Sequence, residues 1–312
     1  MRAIVIDEWG GRDAMHEAEV EPPPVGPDFV LIRNRAAGVN PVDTKIREGK
    51  LAGAFPAGFP LILGWDAAGT VEKVGPAVTM FRPGDEVFAY CRRHHLQYGT
   101  YSELTSVPDA FVAHKPESLS WEEAGALPLA GLTAHQALET LGLRGGEKLL
   151  VSGGAGGVGH LAVALAVGRG AHVIATASPE NHDWLRELGA DPLDYDDPDL
   201  PARVRELTGD GGVDAALDLF GGEGREQAFA SLRSGGRLAS IASPPPEPRD
   251  GYEAHYVFVR PSGVDLAELA ELAEDGRLKP HVEEVFPLER AADAHERIEG
   301  GHVRGKLVLS VP

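Results

Sequence analysis

The sequence predicts an α/β protein in which a β-rich domain precedes a doubly wound parallel sheet. Three observations carry that expectation. Residues 1–118 hold short β-branched runs broken by Gly and Pro. From Lys148 onward, strand-like and helix-like segments alternate, the pattern of a parallel sheet with helices on both faces. Between the first strand and helix of that alternation, the apolar run Leu149–Val151 enters a loop with glycines at 154, 156 and 159. A chain of 312 residues, 43% hydrophobic and 25% charged, is long enough for two cores and has the composition of an ordinary globular protein.

Taken in order, Met1–Glu8 reads as a first strand, because it turns acidic directly after Ile6 and so does not resemble a secretory signal. Strands follow at Phe29–Arg33, Thr70–Val74, Glu86–Tyr90 and Phe111–His114, punctuated by Gly26-Pro27, Gly75-Pro76 and Pro83-Gly84. Ser120 and Glu123 have the spacing of a capping box and start a helix that leads to a second helical stretch, Thr133–Thr140. The alternation then runs strand 148–152, helix 160–167, strand 172–177, helix 181–188, strand 213–218, helix 226–231 and strand 237–242. Pro244–Pro248 reads as a stiff loop. Tyr256–Val259 adds a strand, 264–275 a helix, and the closing stretch a helix at 290–299 and a strand at 306–311.

The glycine loop is the most specific chemical signal. Gly154 is expected to permit the tight turn, Gly156 to let the backbone approach a pyrophosphate, and Gly159 to let the helix pack on its strand. Gly157 and Val158 complete the turn, whose N–H groups, with the helix dipole, attract phosphate. The next strand ends Ala175-Thr176-Ala177-Ser178, with small neutral residues where an acid would hold the 2′-hydroxyl of NAD. Ser178 and Asn181 offer donors and His182 partial positive charge, which favours NADP(H); Glu180 and the lack of an Arg or Lys work against it. Ser178-Pro-Glu also reads as an ordinary helix start.

The net charge of −19 disfavours a nucleic-acid partner, and no apolar run approaches the ~20 residues of a membrane helix. The single cysteine, Cys91, excludes internal disulfides and a cysteine-rich zinc site, and suits a reducing, cytoplasmic location. The neighbouring His94 and His95 read as a solvated surface pair.

Nearly the whole chain resembles the medium-chain dehydrogenase/reductase superfamily, in its zinc-free quinone oxidoreductase branch. The resemblance rests on Ala37–Gly49, Leu63–Gly75, Arg82–Val87, Gly99–Glu103, Leu127–Leu138, the glycine loop, Gly211–Asp218 and Gly305–Leu309, in family order. It implies a GroES-like domain from residues 1–118 and 278–312, and a Rossmann domain from 119–277, with the nicotinamide in the cleft between. It also implies a homodimer. Zinc members of the superfamily carry a cysteine where this chain has Asn40, and a Gly-His-Glu motif where it has Gly64-Trp65-Asp66, so no metal is expected.

By the same resemblance, Asn40 contacts cofactor or substrate. Lys45 stands where many quinone reductases have tyrosine and reads either as a donor or as an exposed lysine. Tyr98 and Tyr101 line the substrate entrance or pack in a loop, and Asp43 reads as ordering its loop ahead of the alternative, acid–base work. Thr133 lies near the phosphates or caps a helix. Phe220, Gly221, Ile241 and Ser243 follow sheet strands and are expected at the nicotinamide and ribose, with Phe258, Val259 and Lys306 as further cofactor contacts. The implied activity is NADPH-dependent reduction of a small quinone or α,β-unsaturated carbonyl. A 2-enoyl thioester reductase and a non-catalytic, crystallin-like NADPH-binding protein are the alternatives.

Overall fold

Contacts divide the chain into two units, Met1–Leu129 with Pro261–Pro312, and Ala130–Arg260. The structure is a computed structural model and describes residues 1–244 and 251–312. All of the expected Pro244–Pro248 loop beyond Pro244 lies outside the described residues.

The first unit opens with β1 (Arg2–Ile6), β2 (His16–Glu19), β3 (Phe29–Val39), α1 (Pro41–Arg47), β4 (Leu61–Ile62) and β5 (Asp66–Val74). It continues through β6 (Glu86–Tyr90), β7 (Leu104–Pro108), β8 (Val112–His114) and α2 (Trp121–Ala126). Strands β2, β1 and β4 make a small antiparallel sheet. The 11-residue β3 outruns its expected end at Arg33. Its small segment Ala36–Val39 has little β signal of its own, but pairs with a strand from the far end of the chain. Val30, Ile32, Val71, Val87 and Val107 form the core, where every second residue of each strand turns inward. Ser120 caps α2 through the expected capping box with Glu123.

Helix α3 (Pro128–Leu141) leads into the second unit, where strands and helices alternate: β9 (Lys148–Val151), α4 (Gly159–Gly168), β10 (His172–Ala177), α5 (His182–Glu187), β11 (Ala190–Asp194) and α6 (Leu200–Thr208). After them come β12 (Val213–Asp218), α7 (Gly222–Ser231), β13 (Leu232–Ser240) and β14 (Glu253–Tyr256). The six strands are parallel in the order β11-β10-β9-β12-β13-β14, that of a dinucleotide-binding sheet. The order reverses between β9 and β12, so their carboxyl ends bound the crevice in which such sheets bind ligands. Leu150, Ile174, Ala216 and Leu238 from the four inner strands share one core.

β11 and α6 lie outside the expected elements, β11 because it reads Ala-Asp-Pro-Leu-Asp; its proline is tolerated because the strand lies at the sheet edge. The expected strand at 256–259 lies instead at Glu253–Tyr256, where Ser240 pairs with Tyr256.

The chain then re-enters the first unit with α8 (Gly263–Glu274), β15 (Val282–Pro287), α9 (Ala291–Glu299) and β16 (Lys306–Ser310). β16 runs antiparallel to β3, with Leu307 opposite Val39, inside a seven-stranded sheet. The division differs from boundaries at 118 and 278. Helix α2 lies on β3 and β5, and α8 lies on β8, so both join the first unit.

Candidate dinucleotide and active site

In the second unit, the glycine loop joins β9 to α4 with a role for each glycine. The turn is made by Gly153, at φ +77°, and not by Gly154 as expected from the motif. A Cβ on Gly153 would lie 2.0 Å from the Phe220 ring. Gly154 serves close packing instead, since its Cβ would lie 2.7 Å from the Ala175 Cβ. Gly159 lets the helix start against the loop, because a Cβ there would meet the Gly153 carbonyl oxygen at 2.0 Å. Gly156 differs from all of these. Its nearest neighbour would be the Gly153 oxygen at 3.5 Å, so its outer face is an open cradle.

Thr176 fixes the loop from the next strand: its hydroxyl accepts from Gly153 N–H at 2.9 Å and its carbonyl from Gly154 N–H at 2.8 Å. No side chain caps the N-terminus of α4, which begins just after Val158. At the end of β10, Ser178 Oγ accepts from Asn181 Nδ2 at 3.1 Å, leaving the hydroxyl hydrogen to donate elsewhere. Ser178 also precedes a short 3-10 turn with Pro179 first, the position the helix-start reading expects, but its side chain makes no capping hydrogen bond. His182 Nε2 lies 3.2 Å from the Ala177 carbonyl, and because a carbonyl only accepts, Nε2 carries the hydrogen.

At the end of β12 the buried carboxylate of Asp218 holds the turn. It accepts from the N–H groups of Phe220 (3.1 Å) and Gly221 (2.8 Å), and from Ser240 Oγ at 2.7 Å. The Phe220 side chain stands 72% exposed and Phe258 53%, while Thr133 is buried in α3. Ser243 Oγ accepts from Arg225 at 2.9 Å, beside Ile241. Phe258 and Val259 follow β14.

In the first unit, the expected residues Asn40 and Lys306 come together around two acids that sequence reasoning had not joined to them. Lys306 Nζ donates to Asn40 Oδ1 at 2.5 Å and to the Val39 carbonyl at 2.9 Å, and lies 3.9 Å from Asp66. Asn40 Nδ2 donates to Asp66 Oδ2 at 2.8 Å, and the Leu129 N–H at the start of α3 donates to Asp66 Oδ1 at 2.7 Å. Asp43 Oδ2 accepts from Asn40 N–H at 2.8 Å and from the Tyr101 hydroxyl at 3.1 Å. Asp43 thus orders the α1 entrance, and Tyr101 is wholly buried.

Burial pushes Asp43 up to about 7 and Asp66 up to about 6, with Asp66 adding to the Asp43 shift and Lys306 opposing both. Burial lowers Lys306 against the pull of the two acids.

Lys45 and Tyr98 do not join this cluster. Lys45 is exposed in the last turn of α1, where a cation also complements the helix dipole. Tyr98 is half-buried, with the Arg93 guanidinium 5.8 Å from its ring centre.

Two domain families match this chain: the alcohol dehydrogenase GroES-like domain over residues 26–117 and the zinc-binding dehydrogenase domain over residues 188–309. The NADPH-dependent alkenal/one oxidoreductase of Arabidopsis thaliana chloroplasts is 35% identical, the alignment covering 99% of this chain and 79% of that protein. The quinone-oxidoreductase homolog of Spinacia oleracea chloroplasts is 33% identical over 99% of this chain and 98% of its own. The chain belongs to the quinone oxidoreductase branch of the medium-chain dehydrogenase/reductase superfamily. Among solved structures of the superfamily, the quinone oxidoreductase from Coxiella burnetii superposes with a TM-score of 0.87 at 32% identity, covering 100% of this chain and 99% of its own. An NAD-dependent alcohol dehydrogenase superposes at 0.92 and 34%, each chain covered in full.

Within this superfamily fold, the donor set at the zinc position does not suit the metal. Trp65 is buried edge-on to Phe55 and Tyr90, and the side-chain oxygens of Asn40 and Asp66 already accept hydrogen bonds, from Lys306 and from Leu129 and Asn40 respectively. Among the described residues, no group of three or more His, Cys, Asp or Glu could hold a metal ion. No helix among them is long and apolar enough to cross a membrane.

Proposed function

We propose that this protein is an NADPH-dependent, zinc-independent reductase of quinones and α,β-unsaturated carbonyls. The observation that carries the reading is the phosphate cradle, open at Gly156, beside a β10 end with no acid at Ser178. The relatives named for alkenal, quinone and 2-methylene-furan-3-one reduction support the substrate class. A mycobacterial structural neighbour described as complexed with NADPH supports the cofactor.

In this proposal Gly154, Gly156, Gly157, Val158 and Gly159 hold the pyrophosphate. Thr176 keeps their loop in shape, and Ser178 and His182 face the 2′-phosphate. Thr133, Phe220, Gly221, Ile241, Ser243, Phe258 and Val259 contact the remainder of the dinucleotide. A bound nicotinamide supplies the two-electron reduction.

In the first unit, Asn40 and Lys306 are the residues this proposal assigns to contact with cofactor or substrate. Asn40 has one amide hydrogen on Asp66 and only a 3.4 Å contact to the Gly38 carbonyl for the other, so that second hydrogen is the one it can offer a ligand. Lys45, Tyr98 or water supplies the proton that completes the two-electron reduction of the substrate. The remaining parts of the proposal are a homodimer, for which the unpaired outer edge of β14 among the described residues offers a surface, and a cytoplasmic location.

The test is NADPH oxidation by the purified protein with an aromatic ortho-quinone, with and without a chelator, and with NADH in parallel. Chelator-insensitive turnover that is fastest with NADPH is expected. Loss of turnover with chelator, or a preference for NADH, would overturn the assignment.

A further inference from the structure

We propose that Tyr101 and His295 are positioning residues. With Arg47 they form a one-way hydrogen-bond relay that fixes Asp43 and, through it, the backbone of Asn40. The inference rests on the proposed role of Asn40 and concerns how that residue is held.

The relay lies within the first unit. Arg47 Nη1 is 3.1 Å from His295 Nδ1, His295 Nε2 is 3.3 Å from the Tyr101 hydroxyl, and that hydroxyl is 3.1 Å from Asp43 Oδ2. Its direction follows from what each group can do. A guanidinium only donates, so His295 Nδ1 accepts and its hydrogen sits on Nε2. Nε2–H then donates to the tyrosine oxygen, whose own hydrogen points to Asp43. Burial, with Arg47 adding, lowers His295 to about 3, so the ring stays neutral and the relay does not reverse near neutral pH.

The side chains of Arg47, Tyr101, Asp43 and His295 are each no more than 2% exposed. The fold makes room for this: at Gly64, φ +90°, a Cβ would lie 2.3 Å from the Tyr101 ring. At its outer end Arg47 pairs with Glu299 at 2.8 Å and Glu48 at 3.3 Å, in a cleft also lined by Arg12 and Glu296. Around Asp43 the facing charges are Asp66 and Lys306 from β5 and β16, with Tyr101, His295 and Arg47 along the relay. A packing role alone would need neither a polar atom on Tyr101 nor a fixed histidine tautomer.

The test compares Tyr101→Phe, His295→Leu and His295→Gln with the unaltered protein, using NADPH and an aromatic ortho-quinone. Tyr101→Phe and His295→Leu are expected to lower kcat on the order of tenfold, as small misplacements of site groups do, with NADPH affinity retained. Because the Tyr101 hydrogen bond holds the Asp43 pKa down, its loss should move the acid limb of kcat to higher pH. His295→Gln, whose amide can still donate to Tyr101, should recover most of the rate. Wild-type kcat and pH profile in a folded Tyr101→Phe protein would overturn the inference.

Nitrogen NMR of 15N-histidine-labelled unaltered protein gives a readout independent of turnover and of variant folding. A neutral Nε2–H ring on His295 from pH 5.5 to 8 is required, and an Nδ1–H ring or a titrating one would overturn the relay. Failure of the unaltered protein to reduce the quinone would instead sink the proposed function, with the tautomer still deciding the relay.

Discussion

Asp43 carries the most exposed wager at the scale of single residues. Its folded pKa, about 7, lies above the ordinary 3.8. Between those values the folded protein keeps a proton that the unfolded chain has released, so this group's contribution to stability declines as pH rises through the window and then levels off. Asp43→Asn keeps an oxygen to accept from Tyr101 and Asn40, and cannot release a proton. The melting temperature of Asp43→Asn relative to the unaltered protein should therefore climb from pH 5.5 to about 7 and stay level to pH 8. A difference that is flat with pH would refute the assignment.

Part of this site could be read from the sequence. Asn40 and Asp43 lie three apart at a helix start, a local pattern that shows which of them orders the loop. The links from Asn40 to Asp66 and Lys306, and from Tyr101 to His295, span 26, 266 and 194 residues. No periodicity or spacing carries information over such distances. The one signal available was the loss of zinc ligands at Asn40 and Trp65, which marked the place without showing what fills it.

Among the elements, the turn from β9 to α4 separates two kinds of glycine that its motif does not distinguish. Gly159→Ala should cost about 1–3 kcal/mol of stability, because its methyl group would meet loop backbone that cannot move aside cheaply. Gly156→Ala should leave the melting temperature within about 2 °C, its methyl group entering open space. It should nevertheless weaken NADPH binding, since that space is what a phosphate would occupy. Calorimetric melting and a fluorescence titration of NADPH check both. Equal NADPH affinity in Gly156→Ala and the unaltered protein would remove the cradle from the site.

Strands with their own signal were legible, as Glu86–Tyr90, His172–Ala177 and Val213–Asp218 show by matching their expected bounds. Elements defined by a partner were not. The extension of β3, the edge strand β11 and the displacement of β14 each depend on pairing across the sheet.

For the molecule as a whole, the net charge of −19 acts on an anionic cofactor before any contact forms. Salt with a Debye length of about 8 Å at 0.15 M screens that repulsion. The association rate of NADPH, measured by stopped-flow fluorescence, should therefore rise as NaCl increases from about 0.01 to 0.15 M. A falling rate would show that positive potential around the cradle outweighs the overall charge.

The ammonium of Lys306 has a consequence in time as well as in space. During synthesis Asp43 and Asp66 leave the ribosome long before it, separated by the whole contiguous second unit, Ala130–Arg260. Until β16 docks on β3, Lys306 cannot pair with Asp66, and a charged Asp66 is expected to keep its hydration by staying open to water. The β-rich unit is therefore expected to complete its fold only when its last strand arrives, with the unit translated in one piece folding ahead of it. A nascent chain stalled before Lys306 should show protease-sensitive residues 38–66 beside a protected dinucleotide sheet.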